Sequence, residues 1–80
     1  MNLRHELMGK RVELLRNHKK EKIVAEAVSA TIIRLLSASD YEKIDAEELA
    51  LAAEVLTQTI EHLQSISRQI TQINSELGTL

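Results

Sequence analysis

Three histidines and twelve carboxylates are the side chains of this 80-residue sequence best suited to proton transfer or metal binding, because cysteine is absent. A di-metal site inside a helical bundle needs Glu-x-x-His pairs on facing helices, and no such pair occurs. His18 lies four residues before Lys22, and Glu61 adjoins His62. The first pair has the wrong partner and the second the wrong spacing for joint ligation from one helix face. Glu47, Glu54, Glu61 and Arg68 recur every seven residues, a row that reads as the solvated side of a helix. With Gly9 and Gly78 as the only glycines, no phosphate-cradling loop can form, and no serine sits in a nucleophile motif. The expectation is a protein that is not an enzyme, with no catalytic residues, no cofactor and no metal.

Binding is the chemistry that remains. Seven of the ten Lys and Arg fall between Arg4 and Lys22 against three Glu, giving that segment +4, whereas residues 23–80 carry -6 and hold six acids between Asp40 and Glu54. Lys10, Arg11, Arg16, Lys19, Lys20 and Lys22, with His18 among them, form a candidate basic patch for phosphates or an acidic protein surface. The overall acidic balance, the interleaved Glu13 and Glu21 and a single aromatic, Tyr41, count against nucleic acid. No spacing matches a helix-turn-helix or zinc finger. A membrane-surface helix is disfavoured because Arg4 and Arg11 share a sector with Leu7 and Leu15.

The elements that must carry these residues follow from periodicity. The sequence is 44% hydrophobic and contains no proline, so the commonest helix breaker is missing. Leu49, Leu56, Leu63, Ile70 and Leu77 recur every seven residues, with Ala52, Thr59, Ile66, Ile73 and Leu80 at the intervening positions. That is a heptad seam. Asp45 as N-cap, Glu48 as its capping-box partner and Ile44 stapled on Leu49 start a helix over about 46–77, with Gly78 as its stop. In the first half, Leu7, Leu14, Glu21, Val28 and Leu35 hold one seam position, and Leu3, Lys10, Asn17, Val24 and Thr31 the other, with Ile32 joining Val28 and Leu35 at the apolar end. Arg16 to Lys22 is wholly polar, yet the frame resumes in phase. One helix over about 2–37 is therefore preferred to a three-helix variant broken near 17–20, with a turn at 38–45 in which Ser39 and Asp40 cap one helical turn around Tyr41.

The fold class expected is all-α: a single domain over 1–80, a long antiparallel helical hairpin that associates as a coiled coil or four-helix bundle. Pairing sets Leu35 near Leu49, Val28 near Leu56, Leu14 near Ile70 and Leu7 near Leu77, which leaves Glu21 facing Leu63. Val28, Ile32, Leu35, Leu49, Leu56, Leu63, Ile66, Ile70, Ile73 and Leu77 form the seam expected to serve the hairpin, an oligomer or a partner. Met8, Val12, Leu15, Ile23, Ile33, Leu36, Leu51, Val55 and Ile60 lie off it and need a second surface, most simply that of another copy in a homodimer. The polar-flanked stripe from Leu63 to Leu80 can dock on its own chain or on a partner helix, with self-packing preferred.

Leu3-Arg4-His5-Glu6-Leu7 resembles the His-Glu-Leu core around the phosphorylated histidine of histidine-kinase dimerisation domains, which are also dimeric helical hairpins. The match covers three letters. Gly9 stands where that family has a polar residue, no proline follows, and His5 lies close to the first residue, so the family is not assigned. The function expected is a non-enzymatic helical interaction or adaptor protein. A nucleic-acid-associated regulator using segment 10–22 comes second, and phosphotransfer through His5 third. No segment approaches the roughly 20 apolar residues that span a bilayer, and residues 1–22 lack the apolar block of a signal peptide. The cytoplasm is the compartment expected.

Overall fold

The computed structural model describes residues 2–80, so Met1 of the expected 1–80 domain lies outside it. The chain is an all-α hairpin: α1 is Leu3–Leu36, α2 is Ala46–Gly78, and the 3-10 turn Tyr41–Lys43 lies between them. No strand occurs among the described residues. The α1 helix runs unbroken through Arg16 to Lys22, so the three-helix variant is not adopted. Four of those seven residues are Lys or Arg and one is Glu, all good helix formers, and neither Gly nor Pro interrupts them.

Short polar side chains set the ends. Asn2 Oδ1 accepts from the backbone N–H of Arg4 at 3.0 Å and of His5 at 3.4 Å, satisfying donors that the first turn leaves unpaired. Asp40 Oδ1 accepts from Glu42 N–H at 3.0 Å, which caps the expected turn around Tyr41. Asp45 Oδ1 accepts from Glu48 N–H at 3.0 Å. The reciprocal half of that capping box does not form, because the Glu48 carboxylate meets Arg34 Nη2 across the hairpin at 3.3 Å. Gly78 is not a left-handed stop either: no glycine has a positive φ. The helix ends one residue later than expected, where the Thr79 hydroxyl donates to the Glu76 carbonyl at 2.9 Å.

On α2, Leu49, Ala52, Leu56, Thr59, Leu63, Ile66, Ile70, Ile73 and Leu77 are all buried or half-buried, which is the heptad seam read from the sequence. Leu80 alone falls outside it, 57% exposed. On α1, Leu7, Leu14, Glu21, Val28 and Leu35 face inward as expected. Their companions differ. Arg11, His18, Ala25 and Ile32 are half-buried, whereas Leu3, Lys10, Asn17 and Val24 are exposed. Of the row expected in that place, Thr31 alone is half-buried. The second α1 row thus sits one residue later. It fits there because Ala25 permits close approach, while Arg11 lays its stem along the seam and donates from Nη1 to Asn74 Oδ1 at 2.9 Å.

Antiparallel register follows from three cross-hairpin pairs: Arg34 with Glu48, Glu21 with His62 and Arg11 with Asn74. Each falls within two residues of the register in which Leu35 lies opposite Leu49, less than a helical turn. Leu14, Ile66 and Ile73 form the core toward the open end, with Leu7, Ile70 and Leu77 packed against it. The Glu21 mismatch is resolved without a break, since its carboxylate turns to His62 Nδ1 at 3.5 Å and stays partly solvated. Thr59, 6% exposed, satisfies its hydroxyl by donating to the Val55 carbonyl at 2.8 Å.

The outcome is a rod measuring 60 × 16 × 14 Å with a radius of gyration of 18.0 Å. A compact chain of this length would have a radius of about 12 Å. One helix covers one face of the other, and the remaining faces are open.

Candidate functional site

All ten seam residues, from Val28, Ile32 and Leu35 through Leu77, are occupied inside the hairpin, each buried or half-buried. The stripe from Leu63 to Leu77 is covered by its own α1. What the chain offers to another molecule is therefore the set of apolar side chains off the seam. Met8, Val12, Leu15, Ile23, Ile33 and Leu36 on α1 and Leu51, Val55 and Ile60 on α2 are all exposed, from 40% at Met8 to 66% at Ile33.

Most of them share one flank. Met8, Val12 and Leu15 are spaced by four and then three residues, which draws a straight row along a helix in a supercoiled pair. Continued at the same alternation, the row crosses Lys19, Lys22, Glu26 and the half-buried Ser29 and ends on Ile33 and Leu36. It lies about a quarter-turn around α1 from the seam. Arg11 stands between seam and row, and its hydrogen bond to Asn74 identifies the flank. Asn74 shares a heptad position with Ala53 and Ile60, so these α2 residues border the row. The opposite flank carries Glu48, Val55 and His62, again at seven-residue steps, with Val24 and Leu51 exposed beside them toward the turn.

The alternation of four and three was legible from the residues. Sequence reasoning found the off-seam residues singly and missed that five of them, Met8, Val12, Leu15, Ile33 and Leu36, fall into one row. The signal was masked because the middle of the row is charged.

The basic candidates do not converge. Arg11 is engaged at the seam; Arg16, Lys19 and Lys20 are exposed on the outer sector of α1; Lys10 and Lys22 flank the seam on opposite sides. Positive charge therefore wraps the helix. His5 is exposed in the first turn, bound through its backbone to Asn2. Glu47, Glu54, Glu61 and Arg68 are all exposed, as a solvated row requires. Among the described residues no three His, Asp or Glu side chains gather in a metal-binding group, and no helix is long and apolar enough to cross a membrane. A shallow groove near the open end, lined by Leu7, Lys10, Gln69, Gln72, Ile73 and Glu76, is open to solvent.

No protein-family model, curated protein or solved structure matches the chain.

Proposed function

We propose that this chain is a non-enzymatic helical interaction module, an adaptor of the cytoplasm that acts by adding helices to its uncovered faces, first of all those of a second copy. The observation that carries this reading is the apolar row beside a seam already filled. Five apolar side chains of α1, Met8, Val12, Leu15, Ile33 and Leu36, are aligned and exposed, and burying such rows is the dominant driving force for helix association. The second flank, with Val24, Leu51 and Val55, offers a smaller surface for a further partner. Absence of cysteine suits a reducing compartment.

A nucleic-acid-associated regulator draws on Arg16, Lys19 and Lys20, exposed and without an ion pair among the described residues. It has less support, because charge spread around a helix does not present a single face to a phosphate backbone. Phosphotransfer through His5 has only the histidine itself in its favour.

Light scattering over a concentration series separates these readings. A mass of at least two 9.0 kDa chains, unchanged when a short DNA duplex is added at low salt, is expected. A single chain at every concentration removes self-association. A mass that grows with DNA and reverts as salt rises puts the regulator first.

A further inference from the structure

The geometry points to an antiparallel two-fold dimer in which α1 lies along α1 of a second copy and α2 along α2, closing a four-helix bundle. This rests on the self-association proposed above and adds the face, the orientation and the register. The row on α1 is nearly palindromic about Lys22. Turning a second copy end for end over that residue sets Met8 against the partner subunit's Leu36 and Val12 against the partner subunit's Ile33, while Leu15 meets the partner subunit's Ser29 and Lys22 meets its own copy at the axis, a like-charge pair that the parallel arrangement would share. Lys19 then meets the partner subunit's Glu26, and by symmetry Glu26 meets the partner subunit's Lys19. Each contact off the axis occurs twice, as a two-fold interface demands. On α2, Ile60 lies at about the level of Lys22 in the hairpin register, so the same rotation brings it to its own copy at the axis.

Charge selects the orientation. With the copies parallel and α1 against α1, Lys19 would face lysine and Glu26 would face glutamate. Were α1 laid instead on the partner's α2, Met8, Val12 and Leu15 would meet the polar residues on the flank of Ser67, Thr71 and Asn74. The end-for-end arrangement also lays the acidic turn end, residues 40–54, beside the basic open end of the partner, where like charges would otherwise collect.

Surface area is of the right size. The chain exposes 6141 Å², whereas a compact monomer of its mass exposes roughly 4,900 Å². The excess exceeds the roughly 800 Å² that each partner of a standard stable interface contributes. A four-helix bundle also requires two contact directions about 90° apart on each helix, which the seam and the row supply on α1.

Because the chain has no cysteine, a single nitroxide can be placed by Lys20→Cys or by Glu13→Cys. Both are exposed positions on one outer row of α1, seven residues apart. Inter-chain distances by pulsed electron resonance on these two full-length variants, at a concentration where scattering shows dimer, decide the orientation. The Glu13 labels are expected to lie about 20 Å farther apart along the bundle axis than the Lys20 labels, since each residue of displacement from the two-fold adds about 1.5 Å on both chains, so the Glu13 distance is clearly the longer of the two. Equal distances at the two positions would mean a parallel dimer and overturn this arrangement while leaving self-association standing. A single-chain mass would overturn both.

Discussion

Ile66, 2% exposed, shows how a single side chain holds this hairpin. It packs with Leu14 and Ile73 at the centre of the core cluster. Ile66→Ala is expected to lower stability by about 3 kcal/mol, the transfer loss plus the cavity left in a two-helix core that has little else to collapse onto. The half-buried Ile70 should cost less on the same change, because water can reach part of the vacated volume. Urea unfolding followed by helical ellipticity checks both, and equal losses would mean that the two positions are equally enclosed. At this scale the sequence was readable wherever a residue had one apolar role. It was less readable at Glu21 and Thr59, seam positions with polar groups. Their solutions, a carboxylate turned outward to His62 and a hydroxyl bonded within its own helix, depend on neighbours that periodicity does not specify.

At the scale of the helix, Gly9 is the weak point of α1. It lies inside the helix with its side exposed, and an added Cβ would meet nothing within 4 Å. Gly9→Ala is expected to stabilise the hairpin by about 1 kcal/mol, since alanine restricts the unfolded chain and loses nothing in the folded one. A higher midpoint in thermal unfolding, with the solution mass unchanged, is the outcome that checks it; a lower midpoint would place another helix against that side of α1. The α2 start and seam were legible because Asp45 and the unbroken leucine and isoleucine heptads agree, whereas the stop assigned to Gly78 was not, since that residue stays helical. The inner face of α1 was half legible. Two rows flank Leu7, Leu14 and Val28, one with Leu3 and Val24, the other with Ala25 and Ile32, so apolar content did not choose between them. The choice came from tertiary contacts: the reach of Arg11 to Asn74 and the small volume of Ala25 against α2. Helix continuity through residues 16–22 was favoured by phase, because a loop usually resets it, but the polar run left a break near 17–20 open until the structure showed α1 unbroken.

For the whole molecule, the ratio of covered to uncovered apolar surface governs behaviour. A two-helix rod buries one face per helix, and the four buried apolar side chains among the described residues, Leu14, Leu35, Ile66 and Ile73, are few for a domain of this length, which makes the isolated hairpin marginal. Association that covers Met8, Val12, Leu15, Ile33 and Leu36 would then be coupled to folding rather than added to it. Mass action gives that coupling a measurable form: a species stabilised by a second copy unfolds at a temperature that rises with protein concentration, whereas a self-sufficient hairpin does not. The thermal midpoint is therefore expected to climb steadily over a hundredfold range of concentration. Leu15→Glu should flatten that dependence, because it places an acid on the row and outside the seam, leaving the intrachain packing of Leu14 intact. It should also lower the midpoint most at high concentration, where wild-type chains are paired, and least at high dilution, where they are not. A uniform drop at every concentration would locate Leu15 within the hairpin's own packing, and a midpoint independent of concentration in the unsubstituted chain would show that two helices suffice.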